Sequence, residues 1–464
     1  MKFCRPAVAL AIIVGCSLAS SGVDAQVDKR PSIMFQRWQE DWSVLANPAV
    51  PREPLDSLKY IPLSASDPQT YLSFGLNIRE RFESNNAPNF GIGNSSNANY
   101  LLSRIEPHAD LRLGPFQFFV QLENAYAPWK QTILPVDQDP LGLEQGFVAL
   151  VEPLGEGTLK VRIGRQEMAF DLQRFVSVRD GPNVRQTYDA AWADYEIGPW
   201  RFIGFYSQPV QNRPIYVFDD YSSGAQTFSG ARVERKLGET MGLAAYYARF
   251  TQDGARSLFA SGNEQRDIFD LHFAGTIGAV DLDAEAMGQL GSIGDKEIRA
   301  WYMGAIAGYT FKDTAWSPRL GLQFDIASGT ADPRGGTLGT FNPLFPNGYY
   351  FALAGYTGFP NIIHVKPSLT VHPTSATKLV LAVAPQWRQT TADAVYTQPN
   401  IAVPGTAGQP DSYTGTYFQL RFDWQLTRQV SFALEAVHFA IGDVIRRAGG
   451  RDADYVGVQL AFGW

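Results

Sequence analysis

Alternation with a period of two constrains this chain more than any other feature. In YLSFGLNIRERFES, residues 71–84, Leu72, Phe74, Leu76, Ile78 and Phe82 fall on one parity, while Ser73, Gly75, Asn77, Arg79, Arg81 and Glu83 fall on the other. Successive side chains of a strand point to opposite faces, so this segment would carry one apolar row and one charged row. About eighteen such segments follow residue 70, near 71–84, 99–113, 115–126, 143–152, 157–166, 187–197, 200–208, 226–237, 240–250, 267–278, 280–290, 296–311, 317–328, 361–371, 377–390, 413–426, 429–441 and 452–464. Most have about the 9–11 residues with which a tilted strand crosses a bilayer.

The links between them alternate in length. NNAPNFGIGNSSNA is long and GP at 114–115 is short; 127–142 is long and EPLGEG is short. The pattern continues with 167–186, 209–225, 251–266, 329–360, 391–412 and 442–451 long, against GP at 198–199, GE at 238–239, HPTSA and TR short. Only the link near 291–295 is shorter than the rule requires. A soluble sandwich has no reason to gather its long loops at one end. An outer-membrane barrel does, with short periplasmic turns, long outer loops and an even strand number. The predicted fold is therefore all-β, a transmembrane antiparallel barrel of about eighteen strands. Aromatic residues at 13% and 43 glycines fit that class. A net charge of −7 without any basic run gives no footprint for nucleic acid.

The N-terminus reads as an export signal. MKFCRP carries two positive charges, AVALAIIVGCSLAS is apolar or small, and VDA precedes Gln26. The apolar run is too short to span a bilayer as a helix. Cleavage before Cys16 as a lipoprotein is the rival reading. Both cysteines, Cys4 and Cys16, lie in this segment, so a chain starting at Gln26 would contain none. The predicted organisation is a signal peptide over 1–25, a periplasmic segment over 26–70 that plugs the barrel or docks an export partner, and the barrel over 71–464.

Parity assigns the faces. In the last strand, Val456, Val458, Leu460, Phe462 and Trp464 suit hydrocarbon, and Tyr455, Gly457, Gln459, Ala461 and Gly463 suit a wet interior. Phe462 and Trp464 would also form the aromatic ending that outer-membrane assembly machinery reads. Leu320, Leu322, Phe324 and Ile326 oppose Arg319, Gly321, Gln323 and Asp325; Phe418, Leu420, Phe422 and Trp424 oppose Tyr417, Gln419, Arg421 and Asp423. Strands 200–208 and 429–441 have no clear phase. An arginine facing lipid at mid-depth costs roughly 2–4 kcal/mol, so Arg79 and Arg81 must face the lumen.

Arginine rings are the expected device of an anion pore, since the guanidinium grips carboxylates with two parallel hydrogen bonds. The candidates for a substrate-conducting lumen are Arg79, Arg81, Arg104, Arg162, Arg319, Arg388 and Arg421, with Arg79, Arg104, Arg319, Arg388 and Arg421 expected within strands at the constriction. Arg299 and Glu297 are also expected to point inward, and the inward rows carry nearly as many acids, among them Glu106, Glu123, Asp283, Glu285 and Asp325. Wall-bracing by cross-strand pairs therefore competes with substrate contact at each arginine. GRQEMAFDLQRFVSVRDGPNVRQTYD is the sharpest local motif: Arg165, Arg174, Arg179, Asp180 and Arg185 surround a loop whose DGPN reads as a turn. Either the loop folds inward to shape the pore mouth, or its own Arg–Asp pairs pin it. FNPLFPNGYYF, 341–351, is read as loop packing ahead of sugar stacking.

Enzymatic signatures are weak. No H-E-x-x-H, G-x-S-x-G or P-loop pattern occurs, and His108, His272, His364, His372 and His438 lack metal-ligand spacing. No metal and no cofactor is implied. A hydrolase, with His108 or the Asp283/Glu285 pair at its centre, is the alternative of another class.

RWQEDWSVL (37–45), LKYIPLS (58–64), GRQEMAF (164–170), RFVSVRDGPNVRQTYD (174–189) and FNPLFPNGYYF (341–351), in that order, resemble the alginate export family over about residues 33–464. The resemblance implies an eighteen-stranded outer-membrane barrel that conducts an anionic polysaccharide through an arginine-lined constriction. A general or substrate-specific uptake channel for small anionic solutes is the alternative within transport. The minimal TR turn at 427–428 departs from the long gating turn that the exporter implies late in the chain.

Overall fold

Eighteen long strands follow one another around a single closed sheet: β1 Tyr71–Asn85, β2 Ala98–Leu113, β3 Phe116–Tyr126, β4 Asp139–Leu154, β5 Gly157–Gln166, β6 Tyr188–Ile197, β7 Trp200–Pro209, β8 Gln226–Lys236, β9 Met241–Arg256, β10 Ser261–Ile277, β11 Val280–Ile293, β12 Lys296–Thr310, β13 Arg319–Ala327, β14 Ile362–Thr374, β15 Thr377–Trp387, β16 Tyr413–Gln425, β17 Val430–Ile441 and β18 Ala453–Gly463. Each pairs antiparallel with its sequence neighbour, and β1 closes on β18 with Ile78 opposite Phe462. This computed structural model describes residues 30–93 and 97–464; the expected export signal with Cys4 and Cys16 lies outside the described residues.

Turns at 114–115, 155–156, 198–199, 278–279 and 375–376 hold two residues each, whereas the opposite end carries loops such as 167–187, 328–361 and 388–412. One expected long link is corrected. β9 and β10 run through 251–266 and leave only 257–260 between them. Their tips pair Gln252 with Glu264, so the ladder continues in polar residues and the alternation signal disappears there.

Large apolar side chains cover the outside, including Phe116, Phe118, Phe202, Phe269, Leu271, Leu322, Phe324, Phe418 and Leu460. In water such a surface would be untenable; against lipid it is the wall. No helix among the described residues is long and apolar enough to cross a membrane, so the crossing belongs to the strands. The chain is an outer-membrane β-barrel.

Two facing assignments are corrected. Ile298, Ala300 and Tyr302 are the buried row of β12, and Arg299 and Glu297 form an exposed pair on the outside, at the start of the strand beside the 294–295 turn. A charge pair is tolerated there because it sits at the rim rather than at mid-depth. Trp464 still exchanges both backbone hydrogen bonds with Leu76, but its ring lies 4.5 Å from Lys59 Nζ rather than continuing the outer row; Phe462 does face outward.

The interior is less watery than an arginine row implies. Loops 167–187 and 328–361 carry Phe170, Phe175, Phe345, Phe351 and Phe359 into the barrel, where they pack on Trp192, Phe205, Phe228, Tyr246 and Tyr302 of the wall. This explains the missing phase of β7: Phe202 faces lipid while Ile203 and Phe205 face an apolar plug, so both rows are hydrophobic. In β17, Val437 and Phe439 likewise face inward onto Phe90 and Tyr356.

Residues 31–62 occupy the short-turn end. Arg37 donates to Asn77 Oδ1 at 2.6 Å and to the Trp464 carbonyl at 2.7 Å, and Arg112 donates to the carbonyls of Trp38 and Glu40. Ile61 and Pro62 add a short antiparallel pairing to Leu72 and Tyr71.

Candidate functional site

The loop 167–187 enters from the long-loop end and crosses the lumen. Its conformation is demanding: Asp171, Gln173 and Arg179 adopt left-handed backbone angles with φ of 52°, 59° and 51°. Non-glycine residues hold such angles only where their surroundings fix them. The 341–351 segment does so here. Val176 bridges to Phe345 in parallel, Phe345 N donates to Phe175 O at 2.9 Å, and Ser177 Oγ donates to Phe345 O at 2.8 Å. Gly181 and Gly348 meet backbone to backbone, and a Cβ at Gly181 would lie 2.8 Å from Gly348 Cα. FNPLFPNGYYF is thus a packing partner of the inward loop.

The DGPN turn lands on the arginines of β1 and β2. Arg79 donates to Asp180 O at 2.6 Å and Pro182 O at 2.8 Å; Arg81 donates to Gly181 O at 2.5 Å and Tyr349 Oη at 2.9 Å. Arg104 binds the Asp180 carboxylate and the Asn183 carbonyl. Asn183 Nδ2 spreads over the carbonyls of Ser103, Tyr126 and Asp137. Burial opposes ionisation of Asp180, yet Arg104, Arg79 and Arg185 around it hold its carboxyl well below the usual carboxylate range. The loop thus folds inward, and its Asp180 is held by the wall arginines Arg104 and Arg79 more than by the loop's own arginines, of which only Arg185 approaches it, at 3.8 Å.

Other loop arginines tie it to the wall. Arg174 donates to Asp283 at 2.6 Å, Glu285 at 2.8 Å and Tyr350 Oη at 2.8 Å. One guanidinium thus occupies both carboxylates of the pair that a glycosidase reading would need free. Arg185 reaches Glu106 at 3.1 Å and Glu167 at 2.8 Å, and its guanidinium stands 4.3 Å from the Phe35 ring. The inward loop and the N-terminal segment therefore meet inside the barrel. Arg179 donates to Leu344 O, and Arg165 pairs with Asp189 at the end of β5.

The remaining lumen candidates divide. Arg421 faces the interior, pairs with Asp423 at 2.8 Å and Glu435 at 3.1 Å, and is only partly covered. Arg162 lies over the rings of Trp38 and Phe147 at 4.4 and 5.3 Å. Arg319 opens β13 at the short-turn end, held by Asp281 at 2.5 Å, so it lies at the rim and not at mid-height. Arg388 follows the last residue of β15 and donates to five carbonyls, those of Thr391, Asp393, Thr406, Gln409 and Asp411. It organises the 388–412 loop, which places it outside the expected constriction.

Sequence parity misses Glu144. In β4, Gln145 pairs with Gln121 and Leu143 with Leu122, leaving Glu144 as the extra residue of a β-bulge. A bulge turns two consecutive side chains to one face, so Glu144 and Gln145 are both buried inside. At the long-loop end, a cavity of about 370 Å³ is bounded by Arg179, Gln186, Gln211, Gln252, Arg256 and Phe345 among others.

Among solved structures, the barrel is similar to OccAB1 of Acinetobacter baumannii, with a TM-score of 0.58 at 11% identity, covering 88% of this chain and 99% of that one. It is similar to OccK8 (OprE) of Pseudomonas aeruginosa, with a TM-score of 0.53 at 10% identity, covering 85% and 98%. It is also similar to OccK2 (OpdF) of Pseudomonas aeruginosa, solved in complex with glucuronate, with a TM-score of 0.54 at 12% identity, covering 84% and 96%. At these identities the likeness is one of fold. No curated protein matches significantly. The family model described as Alginate export matches residues 70–459, and the chain belongs to the alginate export family.

Proposed function

We propose that this protein is a passive outer-membrane channel for an anionic, sugar-like solute, with the guanidinium set of Arg79, Arg81 and Arg104 as its selective element. The observation that carries the reading is the Asp180 carboxylate seated on Arg104, with Arg79 Nη1 3.6 Å away. A side-chain carboxylate of the loop occupies the place that a solute carboxylate would take, and the charge-assisted contacts it makes are those a uronate can make. Two inward loops and the N-terminal segment fill much of the interior, which favours a small sugar acid over a polymer chain. The glucuronate named with OccK2 is the model solute for this class.

Planar-bilayer recording of the purified barrel tests the proposal. The expected result is anion preference in the wild type and block of the current by glucuronate. Asp180→Asn should tighten that block, because it removes the internal competitor for Arg104. Cation preference in both proteins, or currents indifferent to glucuronate, would overturn it.

A further inference from the structure

The geometry points to a divalent-cation site inside the barrel, formed by Glu106, Glu123 and Glu144 and suited to calcium. These three residues come from the adjacent strands β2, β3 and β4, and their carboxylate oxygens lie within 4.8 Å of one another. Calcium takes oxygen ligands at about 2.3–2.6 Å, so oxygens sharing one ion are separated by at most about twice that distance. The β-bulge completes the triad. Without it, Glu144 would keep the outward parity of Val148 and Leu150 rather than face Glu123.

Glu123 supplies the second observation. It is 1% exposed, and neither of its carboxylate oxygens has a hydrogen-bond partner; Glu144 Oε1 is also buried without one. An ionised carboxylate removed from water without a partner is among the most unfavourable arrangements in a folded protein. Two guanidinium groups lie nearby, but neither is within salt-bridge distance of Glu123. Arg104 is 3.5 Å from Glu106 and also binds Asp180, while Arg185 divides itself between Glu106 and Glu167. Counting Glu167, Asp180 and Arg79 as well, five carboxyl groups share three guanidinium groups, so with all five ionised two negative charges would be left for one divalent ion to balance. The buried amide of Gln121 donates to Glu106 Oε1 at 3.5 Å and accepts from Gln145 Nε2 at 3.4 Å, so it borders the triad as a polar neighbour. An ion held here would join three wall strands beside the residues that anchor the inward loop, Glu167 and Arg185. It does not depend on what solute the channel conducts.

Calorimetric titration of the folded barrel in detergent micelles with calcium chloride alone tests the site, with heat-modifiable gel migration as the check on folding. The expected result is one saturable calcium per barrel, with affinity reduced roughly tenfold or more in Glu123→Gln, a ligand-deleting change of the same shape. If that variant does not fold, Glu144→Gln takes its place. Glu297→Gln, on the exposed outer rim, should bind as the wild type does. Absence of saturable binding by the wild type, which would mean that protons neutralise the cluster, overturns the proposal. So does equal binding by wild type and both triad variants, or an equal loss in Glu297→Gln.

Discussion

At the scale of single residues, the lumen is governed by what each charge touches rather than by its row. Arg79 within β1 and Arg388, one residue past β15, share the inward parity of their strands, yet Arg388 gathers five loop carbonyls and Arg79 meets the turn at 180–183. Lys59 is the sharpest case outside the strands. Its amine is buried against the rings of Trp42 and Trp464, without a hydrogen-bond partner among the described residues. Burial, with a lesser contribution from Arg37, lowers its pKa to about 7. The sign of the effect follows from proton counting. Between about pH 7 and its ordinary value near 10.5, the undocked segment binds more protons than the docked one, so docking strengthens as pH rises through that window. Lys59→Met should abolish this slope and hold the segment more firmly at neutral pH. Protease protection of residues 30–60 in the folded barrel, measured from pH 6 to about pH 10, reads both effects; an unchanged pH profile in the variant would refute the assignment.

At the scale of elements, two loops and a terminal segment turn a wide cylinder into a constricted one. Loop 167–187 pairs with 341–351, rests on β1 and β2, and touches the N-terminal segment through Arg185 and Phe35. Excising 172–183 removes the Arg174, Arg179 and Asp180 anchors together with Phe175 and Val176. Single-channel conductance should rise severalfold, with a changed ion preference because Arg79, Arg81 and Arg104 lose the loop groups they bind, while Arg81 keeps Glu83 and Arg104 keeps Glu106. A conductance and selectivity identical to the wild type would show that the loop obstructs nothing. The parities of β1, β2, β16 and β18 were legible because each has lipid on one face and polar partners on the other. β7 and β17 were illegible because the loops give their inner faces an apolar partner, and period-two alternation vanishes when both faces are dry.

At the scale of the whole molecule, the closed sheet imposes a sidedness that single substitutions can test. Leu271 sits exposed near the middle of β10, whose 17 residues make it the longest strand, while His272 on the opposite face pairs with Asp171 and Asp283. Leu271→Arg should destabilise the membrane-embedded barrel by about 2–4 kcal/mol, the depth-dependent price of a cation facing hydrocarbon. Leu271→Phe should change stability little. Denaturant titration of barrels folded into lipid vesicles measures both, and an arginine tolerated as well as phenylalanine would contradict the assignment of the outer face.

The sequence by itself determined the class of the molecule. Eighteen alternating runs, with terse reversals at one end and longer ones at the other, leave a transmembrane barrel as the arrangement that satisfies every backbone group in lipid. It also showed which parity carries the arginines, because the cost of facing them to lipid is local and depends on no distant contact. Tertiary structure alone decided what those arginines hold. Asp180 lies 101 residues from Arg79 in the chain, Phe345 lies 169 residues from Val176, and neither pairing leaves a periodic trace. The same is true of Glu144, which a single bulge turns inward, so the cluster it forms with Glu106 and Glu123 exists only once three strands are in register.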